Sequence, residues 1–426
     1  MSTDFLSELT WRGLLHQTTS PLLQGHLVSA ARLGYCGFDP TSDSLTVGNL
    51  VPLLILARWQ QAGHRPLVVM GGATGLIGDP SGKSAERPLL SADRVLHNIS
   101  QQRPVFMRLL DFTGKHAASI VDNADWLLRL SYVDVLREVG KHFSVNQMIA
   151  RDSVAVRLHE REQGISYTEF SYMVLQAYDF LHLQRTAGCT VQIGGADQWG
   201  NICSGIDLIR RISGRDAFGI TSQLVTKSDG TKIGKTESGA VYLNAERTSP
   251  YRFHQFWLRS ADDDVGKFLR WFTFLPKARI EAIEADHAAN PSARGAQRML
   301  ADEVTQMIHG TDEVQRANAC AAALFGGDVR SLDGRSAADV AADLPGLRAP
   351  RGTLPAEGRA LLELLVETQL AASKREAREF LESGAVQVNG ARAALDSKVT
   401  AQDLLHGSYA FIRRGKRQWA VAEFTA

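Results

Sequence analysis

The chain has 426 residues, too many for one ordinary core, so two to three domains are expected. Its 47 Lys and Arg nearly cancel its 46 Asp and Glu, which excludes a global basic field and confines any nucleic-acid contact to local patches. Four cysteines (Cys36, Cys189, Cys203, Cys320) form no C-x-x-C pair and no zinc-like spacing; neither a disulfide framework nor a structural metal is expected, and a reducing cytoplasm fits. Met1–Thr10 lacks the apolar core of a signal peptide, and no uninterrupted apolar run reaches about 18 residues, so no membrane span is expected.

Short apolar strands alternate with helical patterns through the first half of the chain. Leu33–Phe38 and Leu67–Gly71 read as strands and Val47–Gln61 as the helix between them, a βαβ crossover that implies a parallel sheet covered by helices. The first strand leads through Gly37-Phe38-Asp39-Pro40-Thr41 to Thr46-Val47-Gly48-Asn49 at the helix start. That arrangement aims backbone N–H groups and a helix N-terminus at whatever sits above the strand, which suits a phosphate. After the second strand, Gly71–Pro80 is rich enough in glycine to let a ligand approach the backbone. Ser91 to Cys189 is mainly helical, including Tyr167–Leu183, and Cys189–Gly194 resumes the strand pattern, so the middle reads as an insertion between two halves of a sheet.

Farther on, Thr226-Lys227-Ser228-Asp229-Gly230-Thr231-Lys232-Ile233-Gly234-Lys235-Thr236 is a polar, glycine-interrupted loop bearing lysines. Helical patterns rich in Trp and Phe run from Tyr251 to about Phe325, and Gly326–Glu357 is dense in Gly, Pro, Asp and Ala, as a linker would be. In a small terminal unit, Ser373-Lys374-Arg375-Glu376 has the form of a capping box and Gly384 would end its helix. Val386 and Val388 then alternate into Asn389-Gly390, a hairpin signal. Two basic clusters fall here: Lys374, Arg375 and Arg378 at the helix start, and Arg413, Arg414, Lys416 and Arg417 in a turn between strands. Both suit RNA phosphates, and each alone also reads as solvated surface charge.

Thr41, Thr46 and Asn49 are side-chain donors gathered at one helix N-terminus, and Gly48 leaves room for a flat ring against the backbone. Taken alone they read as helix caps in preference to ligand contacts. The lysine loop, with Lys83 and Arg87 after the glycine-rich segment, changes the balance, because mobile cations can meet charge developing on a pyrophosphate leaving group.

The opening motif resembles the ATP-binding signature of class I aminoacyl-tRNA synthetases, and the whole chain is similar to the bacterial tyrosyl-tRNA synthetases. The matching runs are Tyr35–Leu45, Gln60–Asp79, Val139–Val145, Thr168–Leu181, Gln192–Asn201 and Leu224–Gly239, and the terminal unit resembles an S4-type RNA-binding module. The resemblance implies an α/β fold: a Rossmann-like parallel-sheet catalytic domain over residues 1–245 with a helical dimerisation insertion at about 91–190. A helical anticodon-binding domain over 246–325, a linker over 326–356 and an α+β S4-like domain over 357–426 would follow. It implies L-tyrosine, ATP and tRNA(Tyr) as substrates, Mg²⁺ carried on ATP, no structural metal, a homodimer and a cytoplasmic location. Tyr35 and Asp179 would grip the phenolic hydroxyl of tyrosine; Asp79, Tyr172 and Gln176 would hold its α-ammonium group, with Gln192 and Gln198 nearby. Gly37, Asp39, Gly48, Gly195, Asp197 and Gln198 would line the ATP and adenylate. Thr41, Thr46, Asn49, Lys83, Arg87, Lys232, Lys235 and Thr236 would act on the phosphates, and Ile233 stands where Phe is common.

One departure matters. Where the family signature reads His-x-Gly-His, this chain has Thr46-Val47-Gly48-Asn49. An Asn amide can reach where an imidazole nitrogen would sit, but Thr46 is shorter and cannot carry charge. Loss of one preorganised donor costs roughly 10²–10³ in rate unless water or Thr41 replaces it. The expectation is a working enzyme with an altered grip on ATP. The alternatives are a synthetase-like RNA-binding protein with weakened or lost adenylation and a tRNA-independent adenylylating enzyme.

Overall fold

A computed structural model describes residues 4–81, 89–151, 154–155, 164–236 and 239–425, with Lys235 and Thr236 described by their backbone alone. Its centre is a six-stranded sheet of β1 (Leu15–Thr18), β2 (Leu33–Phe38), β3 (Arg65–Met70), β4 (Ser119–Asp122), β5 (Val191–Gly195) and β6 (Phe218–Ser222), in the order β1-β6-β5-β2-β3-β4. All neighbours are parallel except the β1–β6 pair. From β2 the chain winds outward to β3 and β4, then returns to lay β5 on the other side of β2. The order thus reverses between β2 and β5, and a crevice opens beyond their carboxyl ends.

The elements beside that crevice follow from local sequence. The strands β2, β3, β5 and β6 are apolar and almost wholly buried, as parallel strands covered on both faces must be. Helix Val47–Gln61 begins at Thr46 and is buried nearly all round, from Val47 and Leu50 to Trp59. Gly34 on β2 lets that helix in, since a Cβ there would stand 2.7 Å from the Trp59 ring. Helix Tyr167–Ala187 starts at Ser166, whose side chain accepts from the Glu169 amide, and stops at Gly188 with φ of 69°.

The chain divides into two compact units: residues 1–247 with 260–300, and residues 248–259 with 301–426. Helix Asp262–Phe272 therefore belongs with the sheet rather than with a separate helical domain over 246–325. The reason is a pair of buried guanidinium groups. Arg12 donates to the carbonyls of Arg270, Thr273 and Leu275, and Arg58 to those of Trp271 and Thr273, so they satisfy the open carbonyl end of that helix.

In the second unit, five strands run in the order Ala391–Arg392, Val386–Val388, Tyr409–Arg414, Gln418–Thr425, Gly346–Pro350. They cover a core that includes Leu361, Leu364, Leu365, Leu381, Ile412 and Phe424. The expected turn is present, with Asn389 and Gly390 at φ of 47° and 83° joining a two-residue hairpin. So is the capped helix Lys374–Glu382, with the Ser373 side chain accepting from the Glu376 amide. Residues 326–356 are not a plain linker: they hold helix Gly334–Asp343, and Gly346–Pro350 pairs in parallel with Gln418–Thr425. The Asp and Gly that suggested a linker serve instead as helix punctuation, Asp333 accepting from the Ser336 amide.

Candidate active site

A cavity of about 510 Å³ fills the crevice. Its lining brings together Thr41, Thr46, Gly48, Asn49 and Lys232 with Tyr35, Asp79, Tyr172, Gln176, Asp179, Gln192 and Gln198, and with Gly37, Asp39, Gly195 and Asp197. These residues come from β2 and β5, from the segments that follow β2, β3 and β5, from one face of helix Tyr167–Ala187 and from the start of helix Val47–Gln61, with Lys232 from the loop after β6. On the longer helix, positions 172, 176 and 179 are spaced to share that face. Lys83 and Arg87 lie outside the described residues, as do the side chains of Lys235 and Thr236.

One end of the cavity is closed and polar. Tyr35 and Gln192 are register partners on β2 and β5. The Tyr35 hydroxyl and Gln192 Oε1 are buried without a hydrogen-bond partner among the described residues. Beside them the buried Asp179 carboxylate accepts from Asn123 Nδ2 at 3.0 Å and Trp126 Nε1 at 2.8 Å. Burial is the larger influence and pushes the Asp179 pKa up to about 7, against those two hydrogen bonds. Burial, then the Asp179 charge, pushes the Tyr35 phenol well above its ordinary value. A buried hydroxyl without a partner, beside a carboxylate that has lone pairs to spare, forms a receptor for one more hydroxyl and penalises an occupant that lacks it.

A second polar knot lies along the floor. Asp79 accepts from the Ser81 amide at 2.9 Å and from Gln198 Nε2 at 2.6 Å. Gln176 donates to Gln198 Oε1 at 3.1 Å, and Asn201 donates to Gln176 Oε1 at 2.9 Å. An anion ringed by amides suits an ammonium group. Tyr172, which lines the cavity with Asp79 and Gln176, donates to Asp39 Oδ2 at 2.8 Å, and Thr74 donates to Asp39 Oδ1 at the same distance. Gly71 makes this possible, because a Cβ there would lie 2.1 Å from Asp39 Oδ1.

The other end is open. Gly37 is the exposed residue of an otherwise buried strand, and a Cβ on it would meet nothing, so the space above it is left for a ligand. Thr46 caps its helix through Asn49: Asn49 Oδ1 accepts from Thr46 N at 3.0 Å and from Thr46 Oγ1 at 2.8 Å. That bonding occupies the amide oxygen and leaves the Asn49 amide nitrogen facing away from the cap. Asp197 does not cap the helix Trp199–Ser213, whose N-cap is Gln198. Partial desolvation, then the Asp79 charge, raises the Asp197 pKa, while Gln198 and Lys232 oppose the shift.

In the second unit the basic residues split by role. Arg413 donates to Gln387 and lies over Trp419, and Arg414 donates to the Leu370 carbonyl and lies over Phe380. Lys374 pairs with Glu363, and Arg375 pairs with Glu379. Arg378, Lys416 and Arg417 are exposed.

A switch-point cleft with a hydroxyl receptor at one end and a glycine-lined helix N-terminus at the other is the site of a class I synthetase. Residues 32–326 match the family of tRNA synthetases class I (W and Y). Residues 341–422 match the tyrosine–tRNA ligase SYY-like C-terminal domain. The chain is 49% identical to the tyrosine–tRNA ligase of Roseiflexus castenholzii over 420 residues, 98% of each chain. It is 48% identical to that of Geobacillus kaustophilus over 425 residues, covering 99% of this chain and all of the other. A C-terminally truncated mitochondrial tyrosyl-tRNA synthetase of Aspergillus nidulans superposes with a TM-score of 0.69 at 30% identity, covering 76% of this chain and 94% of its own. The chain belongs to the bacterial tyrosyl-tRNA synthetase family.

Proposed function

We infer that the chain is a tyrosine–tRNA ligase. It activates L-tyrosine with ATP and transfers the tyrosyl group to the 3′ end of tRNA(Tyr). The observation that carries this is near-full-length similarity to such ligases, together with a cavity whose closed end offers Tyr35 and Asp179 to one hydroxyl. In the first step the tyrosine carboxylate attacks the α-phosphorus of ATP, and the bond to the β-phosphate oxygen breaks to release pyrophosphate. In the second, a ribose hydroxyl of the tRNA attacks the activated carbonyl and AMP leaves. Neither step requires a protein nucleophile, so positioning and charge stabilisation carry the rate. Asp79, with Gln176 and Gln198, holds the ammonium group. Asp197 accepts from the ribose, and Gly37, Gly48 and Gly195 leave room for the nucleotide. Lys232, with Lys83, Arg87, Lys235 and Thr236, meets the phosphates, and Mg²⁺ arrives on ATP.

Two features support the wider reading. Leu128, Tyr132, Val133, Leu136, Val145 and Ile149 are large apolar residues exposed in the short helical turns after β4, which supports a homodimer formed through that region. Arg378, Lys416 and Arg417 are exposed cations on the terminal unit, which supports phosphate contacts with tRNA. Among the described residues no helix is long and apolar enough to cross a membrane, and the proposed location is the cytoplasm.

The test is tyrosine-dependent ATP–pyrophosphate exchange by the wild type and Thr46→His. We expect exchange by the wild type, with a changed KM for ATP in the variant because its cap to Asn49 is lost. Complete absence of exchange in the wild type would refute the ligase reading and leave the RNA-binding alternative.

A further inference from the structure

The lysine loop is anchored by two residues that its own sequence does not reveal. Within Thr226–Lys232 the chain closes on itself: the Lys227 amide donates to the Thr231 carbonyl at 2.8 Å, and the Gly230 amide to that of Lys227 at 3.0 Å. Downstream it is stitched to the start of helix Val47–Gln61, the Val241 amide donating to Gly234 and the Val47 amide to Val241. Upstream the tether is a carboxylate. Asp264, 2% exposed, accepts from the Ser228 amide at 2.8 Å through one oxygen and from the Ser228 hydroxyl at 3.2 Å through the other. Lys267, one turn along the same helix, stands 3.2 Å from Asp264 Oδ1 and donates to the Thr226 carbonyl at 2.7 Å. Four residues thus form a closed ring in which the buried acid holds the turn and the ammonium group compensates its charge.

We propose that Asp264 and Lys267 are positioning residues that hold the 226–232 turn so that Lys232 stands at the nucleotide end of the cleft. Lys232 lines the cavity and acts on Asp197 across it, so its approach depends on where the turn is held. Neither Asp264 nor Lys267 lines the cavity; they act through the turn. The competing account is that Asp264, in the first turn of helix Asp262–Phe272, serves that helix alone, as an acid does at a helix N-terminus. A helix role predicts lower stability with normal turnover per folded site. A positioning role predicts slower activation per folded site beyond any loss of stability, because small displacements of a charge-stabilising group cost between about 10- and 100-fold in rate.

The inference rests on the proposed action of Lys232 on ATP, and the experiment separates the two. Full-length wild type, Asp264→Asn, Lys267→Met, Ser228→Ala and Lys232→Ala are compared by adenylate formation per titrated active site. KM for ATP, Kd for tyrosine and melting temperature are measured on each. We expect Asp264→Asn and Lys267→Met to lose about 10-fold or more in rate or to raise KM for ATP comparably. Tyrosine Kd should be unchanged, melting temperature should fall in Lys267→Met without accounting for the loss per titrated site, Ser228→Ala should do less, and Asp264→Asn should add little on top of Lys232→Ala. If Lys232→Ala is slow while the Asp264 and Lys267 variants match wild type per site, the anchor is refuted and the lysine's role stands. If the anchor variants lose activity only in step with melting temperature, the helix account replaces it. If Lys232→Ala itself is normal, both readings fall.

Discussion

At the end of the cleft closed by Tyr35 and Asp179, side chains are fixed by one another before any ligand arrives: Asn123 and Trp126 hold Asp179, and Gln198 holds Asp79. At the end lined by Gly37, Thr46, Gly48 and Asn49, the glycines leave open space, the only side-chain tie among these four is the Thr46–Asn49 cap, and Lys232 comes from a loop tied down at a distance. The contrast fits the two tasks. A small amino acid must be distinguished from close analogues, which needs buried donors and acceptors with no freedom to adapt. Pyrophosphate must be stabilised as it departs and then released, which favours groups on a movable segment.

Substitutions at the closed end should therefore act on tyrosine alone. Asp179→Ala is expected to lower kcat/KM for tyrosine by about 10³-fold, because it removes the acceptor for the substrate hydroxyl and leaves the Trp126 indole N–H unpaired in a buried site, while KM for ATP stays near wild type. Lys232→Ala should do the reverse, slowing adenylate formation about 10²-fold in stopped flow with tyrosine Kd unchanged. Equal damage to both substrates in either variant would dissolve the division.

Smaller effects sharpen it. Because burial raises the Asp179 pKa to about 7, the carboxylate that accepts from the phenol is lost as pH falls through that value. Tyrosine binding measured by calorimetry should weaken about tenfold from pH 8 to pH 6, and phenylalanine binding should not. Trp126→Phe removes one of the donors that stabilise the ionised acid. It should weaken tyrosine binding by about 1 kcal/mol and move the pH midpoint upward.

Much of the closed end was legible in the sequence because its residues sit in runs with strong patterns: Tyr35 in an apolar strand, Asp179 one helical face from Tyr172. Asn123 and Trp126 were not, since they follow β4, an edge strand whose four residues are all half-exposed and so show neither alternation nor a buried run. Asn201 closes the run Gln192–Asn201, yet its bond to Gln176 depends on a helix approach that no local pattern encodes. Asp39 is expected from the sequence to line the ATP and adenylate, while its bonds to Tyr172 and Thr74 depend on the placement of three separate elements. The anchor at Asp264 was hidden for the same reason, because it joins positions 36 residues apart through side chain to backbone.

The paired guanidinium groups of Arg12 and Arg58 carry a consequence for the order in which the protein is made. Both precede most of the sheet in the chain, but the carbonyls they bind, at residues 270–275, are translated after its last strand. Until then Arg58 lacks the carbonyl acceptors it has in the complete fold. A nascent chain ending near residue 247 would hold every strand of the main sheet but lack the carbonyls that these two guanidinium groups bind. Completion of the catalytic unit therefore waits on a segment encoded far downstream, and a fragment cut at the apparent domain boundary should be recovered as aggregate rather than as a folded enzyme.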